Sequence, residues 1–281
     1  IPLDLVSSLL PKRTYLNFHL ATHIHLHARY QKDYAGKAAS VSSTKTMSRK
    51  SLLGLIDSLE SSIEKMHWKP RKSEWVNYYS ECSHVPKFLE EKIKLVTNYL
   101  GFLKPDTVWD LGANTGVFSR IASDRGIPTI SMDTDPGCVE INYLQTLEKR
   151  EKSLLPLWID LNNPSPSIGW ENKERMSLQE RGPAGTILAL AMIHHLAISN
   201  NVPLAKIAEL FGNTCQSLII EFVPNSDSMV QKLLASREDI FQNYTQKEFE
   251  KAFLEFFNIV KSEKIGDSER ILYLMKKESH V

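Results

Sequence analysis

The sequence predicts an α/β fold: a mostly parallel sheet with helices between its strands, preceded by a helical N-terminal region. Three observations carry this. From residue 107 onward, short apolar runs alternate with helical stretches, the pattern of βαβ units. The first run, Thr107-Val108-Trp109-Asp110-Leu111, enters a glycine turn that opens a helix, a geometry that lets backbone approach a ligand near helix N-terminal N–H groups. The last two runs are joined by only Gly266-Asp267-Ser268, which suffices for an antiparallel hairpin but not for a parallel crossover.

The elements follow in order. Leu5, Leu9 and Leu10, then Leu16, Leu20, Ile24 and His27, recur near helical spacing, with Pro11 interrupting. Residues 36–50 are small, polar and basic and read as a linker. Leu52, Leu55, Ile56, Leu59 and Ile63 form one helical stripe within 51–66. Trp68, Trp75, Tyr78 and Tyr79 crowd a short segment that contains proline, and a helix over 85–103 leads to the sheet. Strands are expected at 107–111, 128–133, 155–159, 185–191, 217–223, 257–264 and 270–276. Helices are expected at 116–125, 136–149, 203–212, 226–236 and 245–255. The division expected is a helical cap and linker region over 1–104 and a ligand-binding sheet domain over 105–281.

Composition narrows the class. The chain has 281 residues, 42% hydrophobic and 24% charged, an ordinary soluble composition able to bury one large core. No apolar run approaches the ~20 residues of a membrane span, and the first thirty residues do not read as a signal peptide. Cys82, Cys138 and Cys215 are far apart and form no C-x-x-C pair, so a disulfide framework or zinc site is not expected and a reducing cytoplasm is. The first residue is not Met, which leaves room for an upstream part. Residues 1–104 carry 16 Lys/Arg against 9 Asp/Glu, and 105–281 carry 18 against 24. The basic flank reads first as a solvated helical surface and leans only weakly toward an anionic substrate. Nucleic acid is possible, but no RNA-binding motif supports it.

Open α/β sheets bind ligands at the carboxyl ends of their strands, and three acids fall there. Asp110 precedes the turn that holds Gly112, Asn114 and Gly116. The spacing D-x-G-x-x-x-G departs from the dinucleotide fingerprint G-x-G-x-x-G. Asp133 ends the second strand, where a carboxylate can take both hydroxyls of a ribose. Asp160 ends the third, where it can accept from an adenine amino group, with Leu161 against the ring. Asp135, before Pro136, reads instead as a helix N-cap.

These residues resemble the first motifs of the class I S-adenosylmethionine-dependent methyltransferases. More narrowly, several blocks resemble a bacterial group of methyltransferases labelled NoeA-related nodulation proteins. They are Trp109-Asp110-Leu111-Gly112-Ala113-Asn114-Thr115-Gly116, Asp160-Leu161-Asn162-Asn163-Pro164-Ser165-Pro166, Gly169-Trp170, Ile193-His194-His195-Leu196, Ile220-Glu221-Phe222-Val223-Pro224 and Ser268-Glu269-Arg270. The resemblance implies a Rossmann-like class I methyltransferase sheet and S-adenosyl-L-methionine as cofactor. It implies a transferase that places a methyl group on an oxygen or nitrogen of an unidentified substrate. The alternative is a non-catalytic module that binds the cofactor for a neighbouring domain.

Candidates for catalysis are His194 and His195, which follow the fourth strand and titrate near neutrality when exposed, although the favoured reading packs one of them beneath the cofactor with a hydrogen bond to backbone, and Glu221, inside the apolar fifth strand. A carboxylate there needs a partner: a substrate amine, Arg270 or a histidine. Arg237, Asp239 and Tyr244 are candidates for a substrate lid, although a charged helix face is the favoured reading. Asn162-Asn163-Pro164-Ser165-Pro166 resembles the N-P-P-Y motif of amino-group methyltransferases only superficially, since it follows the third strand and lacks the aromatic residue. His19, His23 and His27 recur every four residues, but without a carboxylate or thiol partner no metal site is expected. Trp75, Tyr78 and Tyr79 could cover the cofactor or stack a planar substrate, or equally pack the N-terminal cap onto the sheet.

Overall fold

The computed structural model describes residues 1–34, 47–66, 68, 75–76, 86–235 and 240–277. The chain divides into two compact units, Ile1–Lys69 and Pro70–Val281.

In the first unit, α1 (Leu3–Leu9) and a 3-10 turn (Lys12–Leu16) precede α2 (18–34), whose middle, Ala21–Leu26, is wound as a π-helix. This winding aims His25 inward. Its Nδ1 lies 2.7 Å from Ser7 Oγ and its Nε2 2.8 Å from Thr14 Oγ1, and its ring stacks on Tyr15. His23 Nε2 meets Ser58 Oγ on α3 (Arg49–Glu64) at 3.0 Å.

The second unit begins with α4 (Pro86–Leu103) and continues β1 (Val108–Leu111), α5 (Val117–Ser123), β2 (Thr129–Asp133), α6 (Pro136–Lys149), β3 (Leu154–Trp158) and β4 (Ala184–Ala189). It ends with α7 (Leu204–Thr214), β5 (Cys215–Phe222), α8 (Ser228–Leu234), α9 (Gln246–Leu254), β6 (Asn258–Lys264) and β7 (Ile271–Lys276). These match the expected elements to within a few residues. The seven strands form one sheet in the order β3-β2-β1-β4-β5-β7-β6. β3 through β5 run parallel, and β7 pairs antiparallel with both β5 and β6. This is the Rossmann-like sheet that the resemblance implied. Among the described residues no helix is long and apolar enough to cross a membrane.

Period-two alternation sorts the side chains onto two faces. Trp109, Ile187, Leu218, Ile220 and Tyr273 face one core with Phe211 of α7 and Phe249 and Phe253 of α9. Val108, Leu188, Ile219, Leu272 and Leu274 face the other, with Val96, Tyr99 and Leu100 of α4 and Phe118 of α5. The helix over 86–103 is therefore part of the sheet's own core. The boundary falls near residue 70 rather than after 104, because an amphipathic stripe shows that a helix buries one face but not which core receives it. At the sheet edge, Thr129 N donates to Ser153 O and Ile159 N to Asp133 O. That alternation turns Pro156 outward, where its missing N–H spares the ladder and blunts the open edge.

Candidate cofactor and substrate site

Strand order reverses between β1 and β4, and the crevice at such a point is where open α/β sheets bind ligands. A cavity of about 310 Å³ opens there, lined from Asp160 on the β3 side to Arg270 on the β7 side.

The turn after β1 is stitched to β2. Gly112 N and Ala113 N both donate to Met132 O, at 2.9 and 3.0 Å. Gly112, Asn114 and Gly116 all adopt positive φ, of 71°, 52° and 80°. Asn114 tolerates this because its short side chain bonds locally: Oδ1 accepts from Thr115 N at 2.7 Å, and Nδ2 donates to Trp75 O at 2.8 Å. A Cβ at Gly116 would overlap the Asn142 amide, which is held by Ser131 Oγ. Gly112, Ala113 and Asn114 line the cavity and Gly116 does not. The close approach that Gly116 permits is to Asn142, behind the turn. Arg120 braces the turn from the same side, donating to Thr115 O at 2.9 Å while bound to Glu151.

Three acids line the cavity at three successive strand ends. Asp133 accepts Asn114 N at 2.7 Å on one oxygen and Asp135 N at 2.8 Å on the other. Burial still raises its pKa, against those two bonds. Asp110 is 1% exposed and accepts from Ser119 Oγ at 2.6 Å. Burial pushes its carboxyl up to about 7, the Ser119 bond opposing, with Asp133 adding to the rise and Lys92 counteracting it. Asp160 Oδ1 accepts Asn162 N at 2.9 Å, the bond of an Asx turn, and Leu161 lies beside it on the cavity wall. Asp135 caps α6 through Gly137 N and Cys138 N, as its place before Pro136 suggested.

After β4, Ala191 turns at φ 49° and delivers His194 and His195 to the cavity. His194 is 2% exposed. Burial, then the charges of His195, Arg270 and Lys92, push it down to about 2. Its Nδ1 has no hydrogen-bond partner among the described residues. Burial lowers His195 as well, and its ring meets Trp75 edge-on at 5.3 Å. Both histidines are where a base would sit, and burial weakens both as bases, His194 most strongly.

Glu221 is fully buried on the α4 face and does not line the cavity. Its Oε2 lies 2.5 Å from Lys92 Nζ, and its Oε1 accepts from Arg270 Nη1 at 3.3 Å. Arg270 also grips Asp227 with two bonds of 2.7 and 3.0 Å, and Asp227 caps α8 through Met229 N. The partner expected in Arg270 is present. Lys92 and Asp227 escaped notice in the sequence, although Lys92 carried a signal: it lies on the apolar stripe Phe88, Leu95, Val96, Tyr99 of its helix. Tyr244 is 3% exposed, stacks on Phe222 and donates to Val223 O at 2.9 Å. It is a core residue, so it belongs neither to a lid nor to a charged helix face. Arg237, Asp239, Tyr78 and Tyr79 lie outside the described residues.

No family model matches the chain. It is similar to Nodulation protein NoeA of Rhizobium meliloti (strain 1021), 36% identical over 208 residues, which is 74% of this chain and 44% of that protein. The chain thus spans less than half the length of the curated relative it matches. Among solved structures it is similar to magnesium protoporphyrin IX methyltransferase (ChlM) from Synechocystis PCC 6803 with bound SAH. That likeness has 12% identity and a TM-score of 0.49, and covers 82% of this chain and 100% of that one. It is also similar to 16S rRNA methyltransferase RmtF in complex with S-adenosyl-L-homocysteine, at 18% identity and TM-score 0.47, covering 68% and 63%. Over its matched residues the chain is similar to Nodulation protein NoeA.

Proposed function

We propose that the protein is an S-adenosyl-L-methionine-dependent methyltransferase acting on an oxygen or nitrogen nucleophile. The observation that carries this is the row of Asp110, Asp133 and Asp160 at three successive strand ends, lining one cavity beside the Gly112–Asn114 turn. The donor set fits the cofactor. Asp133, oriented by two backbone N–H groups, keeps lone pairs for a vicinal diol. Asp160 and Leu161 suit an adenine edge and face. Asp110 suits an ammonium, and Gly112 leaves room for the amino-acid backbone.

The bound cofactor supplies an electrophilic methyl group on a sulfonium. The chain's own residues align the nucleophile with it and exclude water. Met192, Leu196 and Trp75 give the cavity apolar walls near His194 and His195. In this reading His194 acts as a neutral hydrogen-bonding group, since a group pushed to about 2 takes up almost no proton at pH 7. Glu221, bound to two cations, holds the site together and does not touch the acceptor.

Calorimetric titration with S-adenosylmethionine tests the cofactor. Asp133→Ala removes charge-assisted bonds worth about 1.5–3 kcal/mol each, so affinity should fall by about 100-fold. A wild-type protein that binds neither the cofactor nor S-adenosylhomocysteine would sink the reading. A labelled-methyl assay against bacterial cell extract then separates a transferase from a module that binds the cofactor for a neighbouring domain: the module binds and transfers nothing. Anionic acceptors stand first in that panel because residues 1–104 are basic. A bacterial cytoplasm fits the buried free thiols of Cys138 and Cys215 and the rhizobial relative.

A further inference from the structure

The charges at the β7 end of the cavity are layered. Lys92 and Arg270 line it, while their partners Glu221 and Asp227 stand behind them and do not. Alternation along β5 puts Glu221 on the α4 face with Ile219, where Lys92 reaches it. Asp110 is on the same face of β1, two residues from Val108, and is bonded to Ser119 of α5. The ionisable groups set around Asp110 are Lys92 from α4, Asp133 from β2, His194 from the turn after β4 and Arg270 beside β7.

We propose that Glu221 is a positioning residue: by anchoring the Lys92 ammonium on the cavity wall that it shares with Asp110, it governs how the carboxylate at the head of the glycine turn meets the ammonium of a bound ligand. This rests on the cofactor reading above. The physical argument is one of shared charge. A lysine 2.5 Å from Glu221 has its field largely cancelled, and so supports the Asp110 carboxylate only weakly against burial. Burial holds Asp110 up at about 7, with Lys92 opposing the rise, and the anchor limits how far Lys92 can oppose it. Capture of a ligand ammonium then requires a proton to leave Asp110 at ordinary pH. Glu221 never touches the ligand; it acts through Lys92.

The test is calorimetric titration with S-adenosylhomocysteine between pH 5 and 8. The wild type should bind more tightly as pH rises, levelling off above the Asp110 midpoint and losing close to tenfold per unit below it. Glu221→Gln keeps the shape and removes the charge. The uncancelled Lys92 should then move the midpoint down by about one unit or more. Lys92→Met should move it up. Glu221→Asp should restore most of the wild-type profile. Opposite shifts from the two partners of one ion pair are something a purely structural pair does not produce. If Glu221→Gln does not fold, the upward shift in Lys92→Met and the near-normal profile of Glu221→Asp still decide the matter. Equal midpoints in wild type and variants would overturn the inference alone. No binding by the wild type at any pH would overturn the cofactor reading and this inference with it.

Discussion

The two ends of the cavity are held together by different bonds. On the β1–β3 side, side-chain acids are fixed by backbone: Asp133 by Asn114 N and Asp135 N, Asp160 by Asn162 N, and Asp135 by the start of α6. On the β4–β7 side, side chains are fixed by one another: Lys92 to Glu221, Glu221 to Arg270, Arg270 to Asp227. The first arrangement needs only a local turn to be formed. The second needs four elements in place at once, and every member depends on its neighbours because each is costly to bury alone.

The largest effect should come from breaking the second arrangement. Glu221→Ala leaves Lys92 uncompensated and unties Arg270, at a cost of about 3–5 kcal/mol. Denaturant unfolding should show this as a lower midpoint with an unchanged slope. An effect below ~1 kcal/mol would mean that the network contributes little. Breaking the first arrangement should cost less stability and more function. Gly116→Ala forces a side chain into φ 80° against Asn142, costing about 1–2 kcal/mol for the backbone alone, and it should abolish detectable cofactor binding. Retained affinity would show that the turn can yield.

The comparison sharpens with pH. His194 is held far below its ordinary value, so it is neutral when folded and takes up a proton only on unfolding. Its contribution is present above about pH 6.5 and is lost as pH falls from there toward 2. Asp110 is held above its ordinary value, so its contribution is present below about pH 4 and is lost as pH rises through 7. Each slope is about 1.4 kcal/mol per unit, and between about pH 4 and 6.5 the two oppose each other. His194→Phe should therefore remove stability loss on the acid side, and Asp110→Asn should remove it on approach to neutrality. Thermal melts across that range read both, and parallel profiles for the two variants would contradict the assignment. The smallest effect belongs to Trp75→Ala. Losing the edge contact to His195 should cost about 0.5–1.5 kcal/mol of stability, seen as a slightly lower unfolding midpoint.

What the sequence showed and what it hid follow the same division. Asp110, Asp133 and Asp160 were legible because strand ends, glycine turns and N-caps are local. An acid two residues before a donor N–H, as in Asp160 and Asn162, announces its geometry in the adjoining residues. Lys92, Asp227 and the fate of the two histidines were not legible, because nothing near them in the chain records what packs against them. Tyr244 shows the limit from the other side: its surroundings in sequence read as exposed, and its position beneath Val223 made it core.

By itself the sequence determined the order of strands and helices, the antiparallel close of the sheet and the placement of Asp110, Asp133 and Asp160 at strand ends, since period, turn chemistry and capping act over a few residues. Only the tertiary structure decided that residues 86–103 belong to the sheet's core, that Gly116 makes room for Asn142 rather than for a ligand, that His194 is buried and neutral, and that Glu221 spends its charge on Lys92 and Arg270. Burial and long-range charge pairing are properties of the packed chain. A residue's ionisation follows from how much water its neighbours remove and which charges they bring.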